Sequence, residues 1–316
     1  MLTKFWDKIA ENLAQESLII LYAPTLGFWA GGLGLYLLRN GWQSNLDMLE
    51  KLNTIQSIAI LLVAIAILTI STILMGQFTM PILRWLEGYW QGPFAGLAQN
   101  RIDSINERLR KKEERWNWLA KQRSTDELNQ SQAKEYARLD AELANYPVNE
   151  TWRMPTRLGN LMRMAEEFPL NHYGLEINIT WPRLWLLLPE TVQKEVARSR
   201  QNVDRSVQIF SWAVLFLIWS FLSPWAIVIA LLLAIAFFRT ILQAAGAYGE
   251  ILKSTYDLFR FKLYDAVYWP KPESPASEIH SGQAITNYLH RGEASKKIKF
   301  DFRSNEDKPQ IPRGQP

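Results

Sequence analysis

One stretch of this sequence, Val207–Phe238, has no charged side chain and carries Pro224 near its middle. As a single α-helix it would be about 48 Å long at about 1.5 Å per residue, which exceeds the hydrocarbon thickness of a bilayer, about 30 Å. Pro224 removes a backbone donor and disfavours helix at Ser223. The stretch therefore predicts a tight transmembrane hairpin that turns at Ser223-Pro224. The alternative is a re-entrant hairpin that dips into the bilayer without crossing it.

Two further apolar segments lie in the first third of the chain. Leu18–Leu38 is uncharged and has the length that one crossing requires, about 20 residues. No charge occurs between Leu52 and Leu83, and a second span is expected within Ile55–Leu83. The fold class predicted is all-α, with four transmembrane helices in two hairpins, 18–83 and 207–239, and an inserted helical module.

The polar residues around the two hairpins predict the remaining domain boundaries. These are an N-terminal interfacial helix (1–17), a cytoplasmic helical module (84–206), a cytoplasmic amphipathic helix (240–269), and a linker, short helix and flexible tail (270–316). Most lysines and arginines near the span ends fall on one side of a four-span topology. Because such residues favour the cytoplasmic side, both termini and the module are expected in the cytoplasm.

The first part of the module predicts a helical hairpin over residues 100–146. Two stripes of apolar residues recur at steps of three and four, as in a short coiled coil. Ser124 and Glu127 match a capping box and predict the start of the second helix. Charges of both signs on the other faces are typical of a solvated surface.

Small residues on the first span predict a close helix contact. Gly27, Gly31 and Gly34 recur at spacings that let another helix approach. The interpretation favoured here is packing within the chain, with a dimer interface as the alternative.

Polar residues on the second span predict either a pore or helix-to-helix hydrogen bonds. Thr69, Thr72, Gln77 and Thr79 lie on this otherwise apolar segment. They would line the path of an oligomeric channel. More often, such side chains bond to a neighbouring helix or to their own backbone.

Basic and aromatic residues late in the module predict contacts with lipid or with a partner. The residues are Arg157, Arg163, Trp181, Arg183 and Trp185. Arginines can hold lipid phosphates, and tryptophans favour the bilayer surface, so that 181–189 predicts an interfacial helix. Pairing with Glu166 and Glu176 is the interpretation favoured for the arginines, and the alternative for 181–189 is a place in a soluble core.

The sequence gives no sign of an enzyme. It has no cysteine, its three histidines are far apart, and no Walker, dinucleotide-binding, HExxH or GxSxG motif occurs. The predicted spans contain no charged residue, which argues against an ion pump or a proton-coupled transporter. The net charge of +4, without a basic run, does not favour nucleic acid. We therefore expect no catalytic site, no metal and no cofactor.

Several short strings of the second half resemble a known pattern. They are Pro155-Thr156-Arg157-Leu158-Gly159-Asn160, Ala165-Glu166, Tyr173-Gly174-Leu175-Glu176, Trp181-Pro182-Arg183-Leu184-Trp185 and Tyr256-Asp257-Leu258-Phe259-Arg260. The pattern is similar to one in bacterial multi-pass membrane proteins that have no assigned activity. The resemblance implies a bacterial inner membrane and implies no substrate.

Taken together, these patterns predict a non-catalytic multi-pass membrane scaffold or interaction protein. Its expected partner surfaces are the 100–146 hairpin and the C-terminal segment. Its expected partners are the lipid bilayer and either a second copy or another membrane protein. The alternative function is an oligomeric ion or small-solute channel lined by the second transmembrane helix.

Overall fold

The computed structural model describes residues 16–43, 52–125, 128–293 and 299–302, and only the backbone of residues 16–21. Over these ranges the chain is helical and has no β-strand, which confirms the all-α prediction. The helices are α1 (Glu16–Asn40), α2 (Thr54–Glu87), α3 (Ala95–Ser124), α4 (Gln130–Leu143), α5 (Arg157–Tyr173), α6 (Ile177–Leu187), α7 (Glu190–Leu215), α8 (Trp225–Phe259), α9 (Phe261–Ala266) and α10 (Pro275–Arg291). Short 3₁₀ segments occupy Gly92–Phe94, Glu150–Trp152 and Phe216–Phe221.

The chain divides into two compact units. The apolar unit contains Met1–Trp85 and Asn202–Ala244, and the polar unit contains Leu86–Gln201 and Ala245–Pro316. Most of the N-terminal helix predicted over 1–17 lies outside the described residues. The same holds for the end of the tail, from residue 303 onward.

Two helices, α2 and α8, are long and apolar enough to cross a membrane by length and composition. Large apolar side chains lie exposed along both, including Leu62, Ile73 and Leu232. The predicted count of four spans also includes α1 and residues 207–222. Within the described ranges, the criterion of length and hydropathy selects neither of these two segments.

An aromatic cluster forms the core of the apolar unit. The ring of Phe28 in α1 lies 4.9 Å from the ring of Trp212 and 5.3 Å from that of Trp219. Ala226 and Ala230, at the start of α8, are at most 1% exposed. Aromatic contacts at these distances add to the burial of apolar area, so this cluster holds α1 against both arms of the predicted second hairpin.

The helical structure is interrupted around Pro224, where the sequence predicts a turn. The 3₁₀ segment ends at Phe221 and α8 begins at Trp225. A helix end leaves carbonyl groups without an intrahelical partner. Here the Arg39 guanidinium donates to the carbonyl oxygens of Phe221 and Leu222, at 2.8 and 3.4 Å. The α8 helix then runs unbroken to Phe259, past the boundary predicted at 239/240.

A large apolar core lies in the polar unit. It is built on α6, the last turns of α8, the short α9 and α10. Its fully buried members include Leu175, Leu184, Tyr256, Leu263, Tyr264 and Ile285. Leu184 belongs to the 181–189 segment, so this segment contributes a side chain to a protein core, which was the alternative to an interfacial helix.

The start of α4 differs from the sequence prediction. Ser124 does not cap a new helix but is the last residue of α3, where its hydroxyl donates to the carbonyl of Lys121. Asn129 is the N-cap of α4, and it forms a capping box with Gln132. Serine binds helix carbonyls as readily as helix N–H groups. The motif alone therefore does not tell the end of one helix from the start of the next.

Candidate functional site

The Pro155–Asn160 string forms a structural joint. The Thr156 hydroxyl accepts from the Gly159 N–H as the N-cap of α5 and donates to the Glu87 carbonyl at 2.8 Å. A Cβ on Gly159 would overlap this same carbonyl oxygen. Thr156 therefore binds the backbone at the end of α2, and Gly159 lets α5 approach that backbone closely. These contacts explain the threonine and the glycine in the string.

Asn160 completes this joint from the inside. It is fully buried, and its amide donates to the carbonyls of Met154 and Thr156 at 2.7 and 2.8 Å. Its carbonyl oxygen accepts from the Met154 N–H at 2.9 Å. The Asn160 side chain thus provides hydrogen-bond partners for the backbone of the turn before α5, and its role is structural.

The Tyr173–Glu176 string joins α5 to α10. Gly174 is the left-handed C-cap of α5, with φ of 69°. Its backbone lies so close to α10 that a Cβ on it, or on Gly282 opposite, would overlap backbone atoms of the other segment. The Thr286 hydroxyl donates to the Gly174 carbonyl at 3.3 Å. The two glycines permit a contact that any larger residue would prevent.

Among the residues predicted to contact lipid or a partner, some make contacts within the polar unit instead. Arg157 is exposed. Arg163 is partly buried, pairs with Glu166 at 3.2 Å, and lies over the rings of Tyr89 and Trp152 at 5.5 and 5.7 Å. Arg163 thus makes the structural pairing that was the favoured interpretation of this residue.

Arg183 also makes contacts within the polar unit. Its guanidinium donates to the Ile179 carbonyl at 2.5 Å and to the Leu289 carbonyl, in the last turn of α10, at 3.1 Å. A cation at the C-terminus of a helix can bind the carbonyl groups that have no partner within the helix, and it interacts favourably with the helix dipole. Trp181 and Trp185 are half-buried and lie 5.8 Å apart. None of these contacts tests a role toward lipid.

A buried ion pair attaches α10 to the core, and sequence reasoning missed it. Arg260 Nε lies 2.6 Å from Glu278 Oε1, and both side chains are largely buried. The guanidinium also covers the ring of Tyr173 at 4.1 Å. Burial, and then the hydrogen bond to Asp257, raise the pKa of the Tyr173 hydroxyl to about 12. Residues this distant in sequence give no local signal that they form one cluster.

The three predicted packing glycines do not act alike. Gly31 touches the partner segment, since a Cβ there would lie 2.6 Å from the Phe216 ring. Gly27 and Gly34 have open space where a Cβ would be. Gly32, which the prediction did not include, faces the Trp219 ring so closely that a Cβ would overlap it. The close approach predicted for α1 therefore involves Gly31 and Gly32.

Some of the polar residues of α2 make hydrogen bonds within the apolar unit. The Thr72 hydroxyl donates to the Leu68 carbonyl of its own helix at 2.8 Å and lies 3.0 Å from the hydroxyl of Thr25. Thr79 is buried, donates to its own helix, and accepts from the Gln208 amide at 3.0 Å. Thr69 is half-buried and Gln77 is exposed. Two of the four predicted pore residues thus make the helix contacts that were the favoured interpretation of these residues.

Apolar and polar side-chain contacts join α3 and α4 along the length of the helical hairpin. Leu109, Leu119 and Leu139 are its buried apolar contacts. Trp116 stacks on Tyr136 at 5.6 Å and donates to Asp140 at 3.1 Å. The remaining faces of these paired helices carry charged residues.

Two ion pairs reinforce the hairpin, between Lys112 and Glu142 and between Arg115 and Glu135. Arg115 binds both Glu135 oxygens, at 3.1 and 2.8 Å, and this pairing lowers the pKa of the Glu135 carboxyl. The same guanidinium lies 4.5 Å above the ring of Trp118, which is 43% exposed. A large exposed aromatic side chain is therefore held in place on the hairpin surface.

Arg153 fixes the base of the hairpin. It is buried, and its guanidinium binds Glu113 at 2.6 Å and Asn106 at 3.2 Å, both on α3. Nearby, the buried carboxylate of Glu167 accepts from the N–H groups of Val148 and Asn149, each at 3.0 Å. These two buried charged side chains are both hydrogen-bonded, as buried charges usually are. Their bonds hold the adjoining loops in place.

A polar cleft also lies within the polar unit, with a volume of about 240 Å³. Glu166 of α5, Trp181 of α6, Arg200 of α7 and Tyr248 of α8 contribute to its walls. Of the five predicted lipid or partner residues, only Trp181 lines it. No group of three or more acidic or histidine side chains within the described ranges is placed to hold a metal ion.

In comparisons with protein-family models, curated proteins and solved structures, no match to this chain was found. The roles assigned to its residues therefore rest on geometry and chemistry. The resemblance of the short strings stays a prediction, and their joint-forming contacts are a physical reason for such strings to exist.

Proposed function

We propose that this protein is a non-catalytic, multi-pass membrane scaffold whose α3–α4 hairpin binds another protein. The observation that carries the proposal is the exposed Trp118, held under Arg115, which Glu135 fixes in turn. Tryptophan and arginine are the residues that most often dominate binding energy at protein interfaces. A side chain fixed before binding loses little entropy on complex formation.

Exposed apolar surface supports the membrane part of this proposal. Large apolar side chains cover α2 and the first half of α8, and water disfavours such continuous exposure. In the proposed topology, four segments span a bacterial inner membrane: α1, α2, residues 207–222 and the start of α8. Both termini and the polar unit face the cytoplasm, as the distribution of lysine and arginine favours.

The third span is short. Its nine helical residues from Val207 to Leu215 and the 3₁₀ segment Phe216–Phe221 together rise about 25 Å, at about 1.5 and 2.0 Å per residue. This is less than the hydrocarbon thickness of about 30 Å. The re-entrant alternative therefore stays open, and reporter tags in the Ser223-Pro224 turn distinguish the two arrangements, since only a crossing hairpin exposes this turn outside the cytoplasm.

Photo-crosslinking tests the partner surface. A photoreactive amino acid at position 118 is expected to yield one discrete crosslinked species in cells, and the same residue at Arg110, an exposed position on the same helix, is expected to yield none. Two differently tagged copies distinguish self-association from a second protein. Absence of a specific product at position 118, in protein that is correctly inserted, would remove the hairpin as the partner surface.

One observation favours the alternative, an oligomeric channel. Gln77 exposes its amide on a face of α2 whose neighbours Leu74, Phe78 and Met80 are exposed apolar residues. An amide in hydrocarbon favours a polar partner, which a second copy or a water path can supply. Loss of both subunit crosslinks and ion flux in Gln77→Leu would support the channel, whereas liposomes without flux for the intact protein would exclude it.

A further inference from the structure

The cleft in the polar unit is a preformed site of modest size. Four helices build its walls, and the lining residues are Met162, Glu166, Ile177, Asn178, Trp181, Pro182, Arg200, Tyr248 and Leu252. Its volume of about 240 Å³ lies below the range of about 300–1,000 Å³ that is typical of sites for drug-sized ligands. The cleft therefore fits a small polar group.

Close packing fixes the shape of this cleft. Met162 and Leu252 are almost fully buried behind it. Trp181 lies against the rings of Tyr256 and Trp185, at 5.9 and 5.8 Å. Such contacts restrict the tryptophan to one orientation, so a ligand meets a rigid aromatic wall without a cost for ordering it.

The cleft is lined by charged side chains of both signs, Arg200 and Glu166. Arg200 lies over the ring of Tyr248, at 5.7 Å. Glu166 binds Arg163 through Oε2 at 3.2 Å, and a carboxylate accepts more than one hydrogen bond. A guanidinium is suited to phosphate or carboxylate oxygens. An acidic side chain beside a tryptophan face is suited to an ammonium group.

We propose that this cleft binds a small zwitterion, in which a primary ammonium group is joined by a short chain to a phosphate. The phosphate pairs with Arg200, and the ammonium group lies between Glu166 and Trp181. Phosphoethanolamine has this chemistry, either free or as the headgroup of phosphatidylethanolamine. In sequence, Arg200 precedes and Tyr248 follows the apolar segment 207–239 by fewer than ten residues, which makes the lipid one source of the ligand. The proposal goes beyond the scaffold function and does not depend on the hairpin surface.

Calorimetric titration of the full-length protein in detergent tests the proposal. The probes are short-chain phosphatidylethanolamine, short-chain phosphatidylglycerol and free phosphoethanolamine. Saturable binding of at least one ethanolamine probe is expected, with phosphatidylglycerol at least about tenfold weaker, since phosphatidylglycerol lacks the ammonium group and its charge-assisted hydrogen bond to Glu166. Preference for the lipid or for the free compound identifies the source.

Four variants locate the binding. Arg200→Gln and Glu166→Gln are each expected to weaken the binding at least about tenfold, and Asn178→Leu, at an exposed wall position, is expected to block entry. Arg198→Gln on the same helix is the control, since Arg198 is exposed and pairs with Glu195. Should Glu166→Gln fail to fold, Asn178→Leu decides the location. Equal binding of phosphatidylglycerol, unchanged binding in Glu166→Gln, or no saturable binding of any probe would overturn the proposal.

Discussion

Replacing Gly159 with alanine tests whether the joint between the end of α2 and the start of α5 is as tight as the structure shows. The added Cβ would overlap the Glu87 carbonyl oxygen and lie 2.7 Å from the Met154 Cβ. A backbone carbonyl cannot rotate away as a flexible side chain can. Relief therefore requires α5 and the Glu87 backbone to separate by about 1 Å or more. That shift stretches the hydrogen bond from the Thr156 hydroxyl to the Glu87 carbonyl, now 2.8 Å.

The expected loss of stability follows from three contributions. Overpacking costs about 1–3 kcal/mol, and the stretched hydrogen bond costs about 1 kcal/mol more. Alanine recovers at most about 1 kcal/mol through its higher helix propensity. The net loss of about 2 kcal/mol corresponds to a melting temperature lower by roughly 4–8 °C for a unit of this size.

Tryptophan fluorescence during thermal unfolding in detergent measures this change. Gly246→Ala is the matched control, because Gly246 lies in α8 with open space at its Cβ, and its melting temperature is expected to stay the same or rise. Thr156→Val removes this hydrogen bond together with the N-cap bond that the Thr156 hydroxyl accepts from the Gly159 N–H. Its effect is expected to be less than additive with that of Gly159→Ala, because both changes act on one contact. A melting temperature for Gly159→Ala at or above that of the unmodified protein would refute the reasoning.

Three further predictions concern packing, charge and pH. Gly31→Leu is expected to lower the thermal stability by about 1–3 kcal/mol, because a Cβ there would lie 2.6 Å from an aromatic ring; Gly34→Leu, in open space, is expected to be tolerated. Arg260→Met is expected to cost about 3–5 kcal/mol, since it leaves the carboxylate of Glu278 buried without its partner; the double change with Glu278→Leu is expected to recover most of this loss. Burial raises the pKa of Tyr173 to about 12 in the folded protein, above the value of about 10 for an unfolded chain. Its contribution is therefore present below pH 10 and lost as the pH rises toward 12, and Tyr173→Phe is expected to show a smaller decline over that window.

Thermal unfolding in detergent measures all three, with fluorescence at several pH values for the tyrosine. Equal stability of the two glycine variants would contradict the close approach of α1 and its neighbour. A double variant no more stable than Arg260→Met would show that the ion pair is not the source of the loss. For Tyr173→Phe, a decline with pH as steep as that of the unmodified protein would assign the pH dependence to other groups. Tyr256 and Tyr264 are the natural candidates, since burial raises the pKa of each above its ordinary value.

Local sequence patterns predicted several features of the fold. The uncharged segments predicted α2 and the start of α8, and Pro224 predicted the break before Trp225. Their signals are strong because a proline or a long run without charge acts on its own segment, whatever the rest of the chain does. Local signals fail where two structures share one motif. Ser124 illustrates this, because its hydroxyl donates to a carbonyl at the end of α3, whereas at the start of a helix it would accept from an N–H group.

The candidate site was less predictable than the fold. Trp181 was singled out for lipid contact and lines the cleft, but Arg200 and Tyr248 carried no local signal. The same applies to Arg260 and Glu278, whose pairing depends on how α8 and α10 pack. Gly32 was missed because its role depends on the ring that faces it.

By itself, the sequence determined where helices form, which segments avoid water and where the chain must turn. These properties depend on side-chain polarity and backbone preference within a few residues. Only the tertiary structure decided which glycines are contacts, which arginines are paired and which side chains share a cleft. Arg183 and the Leu289 carbonyl that it binds are 106 residues apart. The free energy of such a contact depends on atoms that distant segments bring together, and no pattern within either segment records it.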